Sequence, residues 1–89
     1  MFFTKSKLKK GDVFAVQTGD FAGQMFYFME QTETDYIFIA APEIKIQKVP
    51  IEKFDFAKEH DIIEYVENLP RKIFKVVKKQ YEILKKSKN

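Results

Sequence analysis

The sequence has no cysteine, one histidine, one arginine, and only three glycines and three prolines in 89 residues. Without cysteine there is no disulfide framework, no thiolate nucleophile and no cysteine zinc site. A glycine-rich phosphate loop is excluded too, because neither Gly19 nor Gly23 is followed by a Lys-Ser/Thr pair. The one histidine, His60, sits between Glu59 and Asp61 in a polar stretch and reads as an exposed loop residue, although a carboxylate neighbour is what an acid or base would use. Ser6 and Ser87 fall in the terminal tails, where no scaffold positions a nucleophile. The acidic groups Asp55, Glu59, Asp61 and Glu30, Glu33, Asp35 lack calcium-loop or zinc spacing and read as solvated turn and helix surface. The expectation is a protein that is not an enzyme and has no metal and no cofactor.

Long hydrophobic runs are missing as well. The longest, Met25 to Met29 and Tyr36 to Pro42, fall far short of the ~20 residues of a membrane span. Residues 1–10 hold four lysines and a Phe2-Phe3 pair, unlike the apolar segment of a secretory signal. A cytoplasmic protein without membrane attachment is expected. Arginine is the scarce base: of 16 basic residues only Arg71 is not lysine. Arginine reads guanine and phosphate with a bidentate fork, whereas lysine acts as a point charge, so base-specific recognition is disfavoured. The lysine, isoleucine and phenylalanine bias also fits an A/T-rich coding genome of the phage or low-G/C bacterial kind.

Aromatic side chains are plentiful, with ten Phe and four Tyr. A chain this short buries only about 60% of its unfolded surface, so its core must be dense in large side chains, and these supply it. Such richness excludes disorder. One domain spans residues 1–89. Net charge +3 conceals segregation: residues 1–10 carry +4, residues 11–68 carry −8 and residues 69–89 carry +7. A basic start and tail around an acidic body suggest a polyanion partner or self-complementary assembly.

Periodicity predicts an α+β domain. Asp12 to Thr18 reads as a strand entered through Gly11-Asp12, and Thr18 to Gly23 as a loop. Gln24 to Gln31 and Asp35 to Ala41 are apolar on both alternating faces, as central strands are. Glu43 to Val49 alternates as an edge strand with Ile44 and Ile46 inward. This is a four-strand antiparallel meander. After Pro50, the spacing of Ile51, Phe54 and Ala57 permits a short helix. Asp61 to Glu67 fits a fifth strand by its β-branched content and a helix by the Asp61–Glu64 capping pattern, and the strand is preferred. Asn68 is placed to cap a helix that enters through Pro70. From Leu69 to about Lys86, Leu69, Ile73, Phe74, Val76, Val77, Tyr81, Ile83 and Leu84 fill one half of the wheel, a single docking face. Arg71, Lys72, Lys75, Lys78, Lys79, Lys85 and Lys86 fill the other, with Glu82 the one acid. A curved sheet, or small SH3-like barrel, closed by this C-terminal amphipathic helix is expected.

The run Lys-Lys-Gly-Asp-Val-Phe-Ala-Val from Lys9 to Val16, with its glycine-bearing loop and three further strands, resembles the opening of small SH3-like barrels. In outline it is similar to the ribosomal-type KOW module and the PemK-type messenger-cleaving toxins, over roughly residues 9–49. It departs from the toxins where they have an arginine and a hydroxyl residue, since this chain has Gln24 and then Ala40 and Ala41. The resemblance implies the barrel without the nuclease.

Two functions are expected. The first is a non-catalytic module contacting nucleic acid, RNA ahead of DNA, through the helix lysines joined by Lys5, Lys7, Lys9 and Lys10. The second is a phage-type inhibitor or antitoxin-like regulator that grips a partner protein. Its candidate contacts are Phe21 in the glycine-flanked loop and the sheet rings Tyr27 and Tyr36, which are also candidates for stacking bases. A homodimer is expected as well, because two-sided apolar strands leave one face open if a single helix covers the other.

Overall fold

The computed structural model describes residues 8–86. Strand β1 is Asp12–Val16, β2 Met25–Gln31, β3 Asp35–Ala41, β4 Lys45–Pro50 and β5 Ile63–Asn68; helix α1 is Ile51–Glu59 and α2 Arg71–Lys86. All pairings are antiparallel, in the order β4-β3-β2-β1-β5, so the sheet is a curved meander with the fifth strand folded back beside the first. The α+β class expected from the sequence is the one found. No helix among the described residues is long and apolar enough to cross a membrane.

Alternation assigns the two faces. Tyr27 pairs with Val13 and Ile39, and Ile39 with Ile46, on one side; Phe26 pairs with Phe14 and Ala40 on the other. On the Phe26 side lies the larger core: Phe14, Val16, Phe26, Phe28, Tyr36, Phe38, Ala40 and Ile63, closed by Phe54 of α1. Phe38 is fully buried, and its ring meets those of Phe26 at 5.3 Å, Phe54 at 5.5 Å, Phe28 at 5.7 Å and Phe14 at 6.2 Å between centroids. Two of these contacts, with Phe28 and Phe14, are edge-to-face, a geometry that the aromatic quadrupole favours. The opposite face is smaller: Met29, Ile37 and Ile39 are buried with Tyr81 of α2, and Phe74, Val77 and Leu84 pack beside them.

Each helix follows from its flanks. Pro50 cannot donate to a ladder and its fixed φ suits a helix start, so β4 passes directly into α1. The Ile51 amide donates to the Thr34 carbonyl at 3.0 Å, tying that start to the β2–β3 turn. Asp61, in the left-handed region at φ 58°, turns the chain into β5.

Several expectations change. β1 ends at Val16 and β4 starts only at Lys45, because the turn after Pro42 takes up Ile44, which is 47% exposed instead of inward. The single-cover premise fails too: α1 and α2 lie on opposite faces, so neither face is wholly open. Asn68 caps nothing. It is the last residue of β5, and its side-chain amide is used elsewhere.

Gly11 sits at the junction of β1 with α2. Its φ of +91° is left-handed, and a Cβ there would lie 3.2 Å from Phe74 Cδ1. Gly19, at φ +92°, has nothing within 4 Å. Gly19→Ala is therefore expected to lose about 1 kcal/mol from backbone strain alone, and Gly11→Ala about 1 kcal/mol more because Phe74 must give way. Urea unfolding of the two variants measures the difference; equal losses would contradict the Phe74 contact.

Candidate nucleic-acid interface

α2 docks along one line. Phe74, Val77, Tyr81 and Leu84, spaced by three or four residues, face the sheet, and of these only Tyr81 is buried, the others being half-buried. Of the rest of the expected docking half, Leu69 is half-buried and precedes the helix, which starts only at Arg71, and Ile73, Val76 and Ile83 are 48, 67 and 54% exposed. The helix rests on one edge of its apolar half because its buried partners, Met29, Ile37 and Ile39, receive only that line.

The cationic half stands clear of the domain. Arg71, Lys72, Lys75, Lys78, Lys79, Lys85 and Lys86 are all exposed, as is Glu82 between them. Among the described residues only Lys85 of these cations has an ion pair, 3.6 Å from a Glu30 carboxylate oxygen. Its ammonium also lies 5.0 Å from the centre of the Tyr81 ring. Lys85 is thus turned inward, and the other six cations form the outer ridge.

Residues 9–12 are brought to this helix by backbone geometry. The Gly11 amide donates to the Phe28 carbonyl at 3.0 Å, and the Leu69 amide donates to the Gly11 carbonyl at 2.9 Å. The Asn68 side-chain amide donates to Asp12 Oδ1 at 2.8 Å and to the Lys10 carbonyl at 3.2 Å. Asp12, itself buried, accepts the Lys9 amide at 2.9 Å through Oδ2. This joint lets Lys10 line a cleft of about 190 Å³ with Lys78 and Lys85 around Glu30 and Glu82. Lys9 and Lys10 are exposed. Lys5 and Lys7 lie outside the described residues.

Of the two acids in this cleft, Glu30 has a structural role. Tyr81 donates its phenolic hydrogen to Glu30 Oε2. That hydrogen bond, with the Lys85 charge behind it, holds the Glu30 carboxyl below its ordinary value, against the opposing effect of burial. Burial first, and then the hydrogen bond to Glu30, pushes the Tyr81 phenol well above its ordinary value.

The other candidates separate clearly. Tyr36 is only 3% exposed, with its ring 5.1 Å from Phe54 and 5.6 Å from Phe28, so it is a core residue and neither a base platform nor a partner contact. Tyr27 is half-buried at the edge of the α2 face. Phe21 is 51% exposed and borders an apolar pocket of about 300 Å³ floored by Phe26 and Phe54. His60 stacks on Phe56 at 4.0 Å, and its Nδ1 lies 2.9 Å from the Phe56 carbonyl oxygen at the end of α1. No group of three metal-ligating side chains occurs among the described residues. Sequence reasoning missed the joint of Gly11, Asp12 and Asn68, and the Glu30–Tyr81 pair. The only sequence signal for the joint is a glycine followed by an acid ahead of a strand, which generic turns share.

No protein-family model, curated protein or solved structure matches this chain.

Tyr81→Phe keeps the ring in the core and removes the hydrogen bond. Because the folded phenol titrates above its unfolded value near 10, its contribution is complete below about pH 10 and is lost as pH rises through the folded value. Glu30 works oppositely: its contribution is complete above about pH 4.5 and is lost as pH falls through the lowered value. The variant is expected to lose about 1 kcal/mol at neutral pH, a modest figure because Glu30 is partly in water. It is also expected to show a shallower alkaline decline above about pH 10. Urea unfolding at neutral and alkaline pH checks both; an unchanged alkaline slope would sink the assignment.

Proposed function

We propose that this chain is a non-catalytic nucleic-acid-binding protein that holds the phosphates of RNA along the outer ridge of α2. One observation carries the reading: Arg71, Lys72, Lys75, Lys78, Lys79 and Lys86 project from one helix with no ion pair among the described residues, and Lys10 stands against the same helix. Phosphates displace the counterions of such a row, and that release supplies affinity without reading sequence. The scarcity of arginine supports contact with the backbone over contact with base edges. The acidic body keeps the contact one-sided. The same reading takes the fold as an SH3-like barrel without a nuclease centre. Support for it comes from the order β4-β3-β2-β1-β5, with α1 packed against both edge strands.

Replacing Lys75, Lys78, Lys79 and Lys86 with Gln keeps chain length and helix propensity and touches none of the sheet-facing residues. Fluorescence anisotropy with a labelled single-stranded RNA is expected to show weaker binding for any sequence. The log-log salt slope should fall by roughly 3, about 0.7 for each of the four contacts removed. A variant that binds as tightly as the parent would reduce the ridge to a solvated face.

A second reading, a regulator that grips a partner protein, is favoured by one feature, the half-exposed Phe21 beside its apolar pocket. Phe21→Ala is expected to leave RNA affinity unchanged and to release any stoichiometric protein that co-purifies with the nuclease-treated parent. Retention of that protein by the variant would end this reading.

A further inference from the structure

α2 carries more apolar surface than the sheet takes. Ile73, Val76, Gln80 and Ile83 are separated by three, four and three residues, the spacing of the seam that one helix offers to another. Ile73, Val76 and Ile83 are each about half or more exposed, and Gln80 is exposed between them. Along Ile73 and Val76 a groove of about 510 Å³ separates the helix from the sheet. Tyr27, Ile39 and Ala41 are on its sheet side, with Ile44 from the turn after Pro42, and no charged residue lines it. An amphipathic helix binds by laying its apolar face in such a groove.

The charges that border this seam are of one sign. Lys72, Lys79 and Lys86 recur every seven residues, so in the seven-residue period of the seam they share a single flanking position. All three are exposed, and none has an ion pair among the described residues. The other flanking position belongs to Val77 and Leu84, which face the sheet. Between paired helices it is the flanking charges that choose the partner. Three lysines at one such position repel a helix that carries cations there, including another copy of α2, and select one that carries carboxylates.

We propose that α2 and this groove bind an acidic amphipathic helix of a partner protein. Its aliphatic side chains seat against Ile73, Val76 and Ile83, and its Asp or Glu side chains lie beside Lys72, Lys79 and Lys86. The seam rises about 15 Å from Ile73 to Ile83, so about three turns of the partner are engaged. Lys75 and Lys78 fall elsewhere on the wheel and take no part. The inference rests on neither reading above, because it uses apolar surface that phosphate contact leaves idle and a face of the sheet opposite to the Phe21 pocket. Where a polynucleotide also binds the ridge, the two ligands compete for Lys72, Lys79 and Lys86.

Fluorescence anisotropy of a labelled peptide with the nuclease-treated full chain tests the proposal. The peptide has three heptads, with Leu at both seam positions, Glu at both flanking positions, and Ala and Gln elsewhere. It is expected to bind about tenfold more tightly than a scrambled peptide of the same composition, and than one with Lys at the flanks. Changing Lys72, Lys79 and Lys86 together to Gln should weaken it about tenfold. Lys75→Gln with Lys78→Gln should weaken RNA binding and leave the peptide's affinity unchanged. Val76→Ser, whose helix still docks through Phe74, Val77, Tyr81 and Leu84, should weaken the peptide about tenfold and leave RNA binding unchanged. Should that variant lose its circular dichroism spectrum, Ile44→Ser decides in its place. A Glu peptide that binds no more tightly than the scrambled one overturns the proposal. So does parental affinity in a folded Val76→Ser variant, or an equal loss from the two lysine sets. Binding of the parent to anionic vesicles but not to the peptide also overturns it, and gives the stripe to a membrane surface.

Discussion

Two of the strands, β2 and β3, are apolar on both alternating faces, and the rest of the molecule follows from the need to keep both faces from water. Burial stabilises by roughly 25 cal/mol per Å² of apolar surface, so an uncovered sheet face forfeits several kcal/mol in a domain whose margin is small. The chain answers with one helix on each side. Nine residues of α1 suffice on the larger face because the curved sheet already folds its own phenyl rings inward around Phe38, and Phe54 has only to close the cluster. Sixteen residues of α2 lie on the smaller face and leave part of it open as a groove.

That division gives α2 three lines instead of two. One line is spent on the core, one is cationic, and one is apolar but unused by its own chain. An amphipathic helix that served only to cover a sheet would need no third line. The lysine half and the open aliphatic stripe share a border at Lys72, Lys79 and Lys86, so whatever covers the stripe changes the field that the ridge presents. A phosphate backbone on the ridge would in turn screen the charges that border the stripe. The two surfaces are coupled by proximity and by the Coulomb term alone, without any conformational change.

The position of α2 depends on a small polar joint. Gly11 allows the chain to pass close beneath Phe74, and Asp12 and Asn68 hold the strand β1, the end of β5 and the entry to α2 in one place. At the other end of the helix, Tyr81 and Lys85 converge on Glu30. An acidic side chain at a β2 position thereby anchors a helix whose own charged side chains, Glu82 aside, are all basic. The same contact withdraws Lys85 from the ridge and gives it a structural role beside its neighbours.

Composition and periodicity alone determined the α+β class, the central place of β2 and β3, the edge position of β4 and the segregation of lysine to one side of the last helix. These depend on local alternation and on charge counting, which a sequence carries directly. The fifth strand could be preferred from Ile62, Ile63, Tyr65 and Val66, but only its pairing with β1 made it a strand instead of a helix. Tyr36 and Tyr27 look alike in sequence, each on a two-sided strand. Burial separates them because Tyr36 lies in the Phe38 cluster that α1 closes, whereas Tyr27 lies at the edge of the opposite face, which α2 covers only in part. The helical wheel placed eight apolar residues on one half of α2 and could not say that only one edge of that half would dock. That choice depends on where the sheet's own side chains end, and a period of 3.6 residues contains no information about its neighbour.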